Sequence, residues 1–471
     1  MGKDVVPLAG TKKGLASLEV LRPEDASCRA AQVYHSGLLE ELKAADPQVY
    51  EGIVAEYRRL SESLQLIAAE NRCSRAVLAA LGSILQNKTT EGFVGNRFHG
   101  GCQVVDKLEQ LAIDRAKEVF AARYANVQPH SGTAANHIVF TALLEPGQKI
   151  LHMALDQGGH VSHGASVSFT GRFFSTYAYT VDRDSYLLDY QAIKRLAMEV
   201  QPRLIVCGAS AYSRVIDFAA FRRIADEVGA FLVADISHIA GLIAAGVHPS
   251  PIDLAHVTTT STYKPGGPRG GLILMGKDYD MPIRVGTRTR PLWEQVEKAT
   301  FPGFQGTPYL NNIAAKAVFF KEMGSDQYRQ IQAQIVSNAK ALAQVLIDQG
   351  MHVITGGTDN HMVLVNVASF RPGITGLIAQ RALEDCGIVV NMNRLPYDPL
   401  PQSITSGIRL GTPIVTWSGM GSDQMRMIGQ MIASILGEVV PIDGRGYRLD
   451  STFQQQIRQK VLDLCHAFPL I

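Results

Sequence analysis

Val257-Thr-Thr-Thr-Ser-Thr-Tyr-Lys264-Pro-Gly-Gly-Pro-Arg-Gly-Gly271, with Phe231-Leu-Val-Ala-Asp235-Ile-Ser-His238 just upstream, carries the reading of this chain. A lysine sits in a Thr- and Gly-rich bend, and an aspartate ends an apolar strand before it. A pyridoxal phosphate enzyme needs this pair. The lysine amine forms a Schiff base with the cofactor aldehyde, and the carboxylate keeps the pyridine nitrogen protonated so that the ring accepts electrons. Asp235 and Lys264 would fix the two ends of one cofactor. Each alone has a plainer reading, a solvated loop lysine and a helix-capping aspartate.

Around this stretch, short apolar strands alternate with helical segments from about 76 to 320. Lys149-Ile-Leu-His-Met153, Arg203-Leu-Ile-Val-Cys-Gly208 and Ala230 to Asp235 read as strands, and Asp106 to Phe120 and Phe218 to Val228 as amphipathic helices. Such alternation predicts an α/β fold with a mostly parallel central sheet covered on both faces, its ligand at the carboxyl ends of the strands. Asp235, Ser210 and His160 fall at or just after such ends. Residues 1–75 read as an N-terminal arm with helices, Ala30 to Leu60 carrying apolar residues at helical intervals. Residues 321–471 read as a smaller C-terminal α+β domain. It opens with a long helix from Gly324 to Gly350, continues with a strand at His361 to Val367 and returns to helix at Asp423 to Glu438 and Phe453 to Phe468.

With 471 residues, 46% apolar and 19% charged, the chain can bury two or three cores. Its 45 Lys and Arg against 43 Asp and Glu leave +2, without a basic run or interleaved aromatic stripe, so neither nucleic acid nor a membrane surface is expected as a partner. The six cysteines have no CxxC spacing and no zinc-type histidine cluster, so reduced thiols and no metal are expected. Met1-Gly-Lys-Asp-Val-Val-Pro7 has no continuous apolar core, and Val6 does not fit the myristoylation pattern. A cytoplasmic protein acting on small molecules is the expectation.

Three further motifs converge on the same cofactor. His130-Ser131-Gly132-Thr133-Ala-Ala-Asn136 places hydroxyls and a glycine just before a helical stretch, where N–H groups and the helix dipole can cradle a phosphate. A simple helix cap is the alternative. Gly158-Gly-His160-Val-Ser-His163 offers an imidazole to stack on a planar ring, or a structural histidine. Ser406-Gly-Ile-Arg409-Leu-Gly-Thr-Pro413 sets an arginine fork in a tight strand, suited to an amino-acid carboxylate or to a carboxylate of the protein itself.

The chain resembles the serine hydroxymethyltransferases from about Leu60 to Met431. The resemblance rests on Leu66-Ile-Ala-Ala-Glu-Asn71, Asn87-Lys-Thr-Thr-Glu-Gly92, Arg97-Phe-His-Gly-Gly-Cys102, Val127-Gln-Pro-His-Ser-Gly132, Gly158-Gly-His160, Asp235 with His238, Gly266-Gly-Pro-Arg-Gly-Gly271 and Gly356-Gly-Thr-Asp-Asn-His361. It implies the aspartate-aminotransferase-like fold (fold type I), pyridoxal 5'-phosphate, and tetrahydrofolate or 5,10-methylenetetrahydrofolate as co-substrate. It also implies a homodimer with shared active sites, with tetramers open. Carried over, Lys264 is the Schiff-base lysine, Asp235 the pyridine-nitrogen partner and His160 the stacking group. Ser131, Gly132, Thr133 and Gly303 belong to the cofactor set, and Ser210 and His238 contact the ring oxygen. Arg409 binds the substrate carboxylate with Arg269 nearby, Glu91 meets the substrate hydroxyl as a proton-passing carboxyl, and Asn393 meets the pterin.

Departures cluster where the substrate sits. Thr89 stands for the family's usual Tyr, Phe98-His99 for an aromatic pair, Ala69 for a common Ser and Tyr263 for the usual His. The Lys264 to Arg269 loop is one residue shorter, and Gly306-Thr-Pro308 replaces Gly-Gly-Pro. Thr89 removes a ring's volume and a phenol donor and Ala69 another polar contact, which opens space beside the substrate α-carbon, and His99 offers an imidazole, which titrates nearer neutrality than a phenol. The expected substrate is therefore α-methyl-L-serine. With methyl in the slot of serine's α-hydrogen, and hydroxymethyl replaced by hydrogen with retention, the product is D-alanine. Ordinary serine/glycine exchange and a folate-independent β-hydroxy amino acid aldolase or transaldolase are the alternatives. A silent scaffold is the reading from a different class.

Overall fold

The computed structural model describes residues 37–470. Of the N-terminal arm read over 1–75, residues 1–36 lie outside the described residues. In chain order, α1 (Leu38–Ala45) and α2 (Pro47–Ser61) come first. Asp46 starts α2 by accepting from the Val49 N–H, with Pro47 at the first helical position. Neither helix buries a residue in this chain. Leu38, Leu39, Val49, Ile53, Val54 and Tyr57 all stand exposed.

Seven strands make the central sheet: β1 (Tyr124–Asn126), β2 (Lys149–Met153), β3 (Ser175–Tyr179), β4 (Leu204–Cys207), β5 (Phe231–Asp235), β6 (Val257–Ser261) and β7 (Gly271–Met275). Their order is β1-β7-β6-β5-β4-β2-β3, parallel except for β7, which runs against both neighbours. Strand residues alternate between two cores. Leu204, Val206, Val233 and Ile273 face one, and Ile205, Cys207, Leu232 and Leu272 face the other. This two-sided burial is why the strands read as unbroken apolar runs. Helices α3 (Gln103–Phe120), α4 (Gly132–Leu143), α5 (Phe218–Val228) and α6 (Leu310–Met323) cover them.

A second core lies under β8 (His352–Val353), β9 (Met362–Asn366), β10 (Asn391–Asn393) and β11 (Gly407–Gly411), an antiparallel sheet in the order β8-β9-β11-β10. Helices α7 (Asp326–Asp348), α8 (Gly376–Asp385), α9 (Ser422–Glu438) and α10 (Ser451–Ala467) pack there. Leu64 and Leu66 join this core, and Leu64–Gln65 pairs in parallel with Ile388–Val389. The boundary read at 320/321 falls inside α6. Among the described residues no helix is long and apolar enough to cross a membrane.

Candidate active site

Asp235 ends β5 and is 7% exposed. One carboxylate oxygen meets His163 Nε2 at 2.9 Å and accepts from Asn136 Nδ2 at 2.8 Å; the other accepts from the Ser237 N–H at 3.0 Å and hydroxyl at 2.6 Å. Thr259 donates to Asn136 Oδ1 at 2.6 Å, which fixes the amide's orientation. Burial by itself raises this carboxyl. The His163 hydrogen bond and charge, with His160 and Asn136, outweigh burial and hold it well below the usual carboxylate range. A carboxylate held ionised at this strand end can hold a pyridinium N–H. His160, His163 and Asp235 are also close enough to ligate a metal ion, but His163 and Asp235 are already bonded to each other.

His160 is placed by Gly158 and Gly159. Gly158 has φ +107°, and a Cβ at either glycine would collide with the backbone of Ala211 or Met153. His160 Nδ1 lies 2.7 Å from the Ser162 hydroxyl. Burial, then the charge of His163, pushes the ring down to about 4, so it presents a neutral face.

Lys264 lies in the bend after β6. Burial, with the charge of Arg409, pushes its ammonium down to about 8 against the opposing pull of Asp235. Its carbonyl accepts from Asn71 Nδ2 at 2.9 Å. The Tyr263 ring lies 5.7 Å from Lys264 Nζ and 4.7 Å from the guanidinium of exposed Arg269, so Arg269 stacks on the residue preceding the lysine.

Ser131 caps α4 by accepting from the Ala134 N–H at 3.0 Å. A Cβ on Gly132 would lie 3.1 Å from Ser261, whose buried hydroxyl has no partner among the described residues. A helix N-terminus beside an orphaned hydroxyl, with Ser131 and Thr133 exposed at its mouth, fits a phosphate. Lys316 holds this turn from beneath, donating to the carbonyls of Val127, Pro129 and Gly271.

Arg409 leaves the middle of β11. It donates to Asn391 Oδ1 at 3.2 Å and to the Ser210 carbonyl, and burial pulls it down to about 10. Neither Arg409 nor Arg394 forms an ion pair among the described residues. The internal carboxylate that would make Arg409 merely structural is thus missing from them. His238 stacks on His361 with ring centroids 5.6 Å apart; burial, Lys264 and Arg409 keep His238 neutral. A cavity of about 480 Å³ opens beside the cluster, bounded by His160, Ser210, Asn393 and Arg394 among others.

Four residues expected at the site sit on two further segments of the chain. Thr89 and His99 are exposed, and half-buried Glu91 lies near Gly306, flanking a hairpin of Gly92–Phe93 and Asn96–Arg97. Gly303 is exposed in the turn Ala299–Phe304. No hydrogen bond among the described residues ties these side chains to Lys264 or Asp235. Conversely, Asn136, His163, Ser261, Asn391 and His361 emerge only from the fold. His163 ends the Gly158 to His163 stretch, but its partner is 72 residues away.

The serine hydroxymethyltransferase family model matches residues 42–432. The chain belongs to that family. Serine hydroxymethyltransferases have the pyridoxal-phosphate fold type I seen in the seven-stranded sheet, and they transfer hydroxymethyl groups with tetrahydrofolate as co-substrate. When bound, the cofactor supplies an electron sink for bonds to an amino acid's α-carbon. A serine hydroxymethyltransferase needs an amine, a carboxylate, a ring face and a phosphate cradle in one place. Lys264, Asp235, His160 and the Ser131 turn provide groups of those kinds at neighbouring strand ends.

Proposed function

We propose that this chain moves a one-carbon unit reversibly between tetrahydrofolate and a small amino acid, with α-methyl-L-serine and D-alanine as its preferred pair. Lys264 attaches the cofactor, Asp235 holds its ring nitrogen and His160 covers its face. Ser131, Gly132 and Thr133 bind its phosphate, joined by Gly303, and Ser210 and His238 border the ring oxygen. Arg409, with Arg269 nearby, takes the substrate carboxylate, and Asn393 takes the pterin. A second copy brings Thr89, Glu91 and His99 across a homodimer interface; within one chain no hydrogen bond among the described residues ties their side chains to Lys264. The cytoplasm is the proposed location.

The observation that supports the α-methyl preference is the wall beside Arg409. The Leu66 carbonyl accepts from the Gly411 N–H at 2.8 Å, and Gly411 packs against Ala68, so the segment ending in Ala69 runs along the strand that bears Arg409. Ala69 carries no hydroxyl there, and Thr89 carries no ring. Ordinary serine/glycine exchange is the second reading, favoured by the family match itself.

The test restores the family's bulk. In a Thr89→Tyr/His99→Tyr double variant, filling a methyl-sized space should shift the kcat/KM ratio toward L-serine by about 10–200-fold. An unchanged ratio would remove these positions from specificity.

A further inference from the structure

Lys316 stands on α6 and is 1% exposed. Its Nζ donates to the carbonyls of Val127, Pro129 and Gly271 at 2.7, 3.2 and 2.8 Å, and it forms no ion pair among the described residues. Glu109 of α3 is the carboxylate whose charge acts on it, but the two Glu109 oxygens accept from Arg97 and Gln128. Three carbonyl dipoles hold a buried ammonium in place, yet they offset its lost hydration only in part. An anion seated close by would complete the balance.

The fold puts this charge beside the Ser131 turn. Pro129 lies two residues before Ser131, and its carbonyl also accepts from the Gly271 N–H at 2.9 Å. A Cβ on Gly270 would collide with the Lys316 side chain, and one on Gly271 with the Ser131 carbonyl, so the lysine and the turn pack against one strand end. Burial lowers the His130 imidazole, and the Lys316 charge lowers it further against a Thr307 backbone hydrogen bond. The turn's own groups are neutral. Ser131, Gly132, Thr133 and the unpartnered Ser261 hydroxyl bring dipoles, and α4 brings the partial charge of its N-terminus. A phosphate ester carries about −1.5 to −2 at neutral pH.

We propose that Lys316 is a positioning residue for the cofactor phosphate, fixing the Ser131 turn through its carbonyls and supplying, without touching the ligand, the buried positive charge that holds the phosphate as a dianion. The proposal rests on Ser131, Gly132 and Thr133 as the phosphate-binding residues and not on which amino acid is preferred.

The test compares retention of pyridoxal 5'-phosphate and of pyridoxal, which lacks the phosphate, by equilibrium dialysis of the loaded enzyme. Lys316→Met and Lys316→Gln should each reduce the preference for the phosphorylated form by about 10- to 100-fold while leaving pyridoxal affinity unchanged. Glutamine keeps donors for the carbonyls but no charge. A full preference in Lys316→Gln, or an equal loss for both ligands in both variants, would overturn the proposal. The wild-type holoenzyme gives a second readout by phosphorus NMR at about pH 6, where a free phosphate ester is about half protonated. Burial brings Lys316 down only to about 7, so it is charged there, and the bound phosphate should resonate as the dianion. A half-protonated position would overturn the proposal even if the variants failed to fold. A wild type indifferent to the phosphate would overturn the phosphate reading of the Ser131 turn as well, so the two failures are separable.

Discussion

Asp235 and Lys264 are legible as a pair: each alone has a plainer reading, but a carboxylate closing an apolar strand and an amine in a glycine-rich bend after it fit the two ends of one cofactor. Their supports were not legible, because hydrogen bonds such as His163 to Asp235 join strand ends that only the sheet brings together. His163→Phe removes the bond and charge that outweigh burial at Asp235. The variant is expected to keep its cofactor and lose about 10–100-fold in kcat/KM. Its Asp235 carboxyl rises, so activity falls away at higher pH than in wild type on the acid side. An unshifted acid limb would count against this role. Lys264 must be neutral to attack an aldehyde, and burial and Arg409 bring it down to about 8. Cofactor uptake by the apoprotein, followed by absorbance, should therefore rise with pH and level off above about pH 8. Arg409→Met removes a positive neighbour and should move that plateau to higher pH.

Among elements, those with strong periodicity were readable. The long helix expected from Gly324 to Gly350 is α7, and the strand ending at Asp235 is β5. The two-residue ladder that carries Leu64 into the C-terminal core has too few residues to show a period, so this stretch was read with the arm. The hairpin flanked by Thr89, Glu91 and His99 is held by Arg97, whose guanidinium meets Asp106 at 2.8 Å and Glu109 at 2.5 Å, both largely buried. Arg97→Met leaves two carboxylates facing each other in a dry setting. It is expected to cost about 3–5 kcal/mol in denaturant unfolding, and an unchanged midpoint would contradict this account of what anchors the hairpin.

For the whole molecule, two observations point the same way. Helices α1 and α2 expose an apolar face within one chain, and Thr89 and His99, expected at the substrate, are exposed in it. Both are accounted for if two copies complete each other's sites. Deleting residues 1–50 should shift sedimentation from dimer toward monomer and reduce turnover with it; an intact dimer would refute a role for this arm in pairing. The assembled site then has a defined task. Purified, cofactor-loaded enzyme should be given L-serine and α-methyl-L-serine side by side, each with and without tetrahydrofolate, and the amino-acid product and its chirality identified. Folate-dependent D-alanine from α-methyl-L-serine, with L-serine the poorer substrate, is the predicted result. Preferred formation of glycine from L-serine, or L-alanine as the sole product from α-methyl-L-serine, would contradict it.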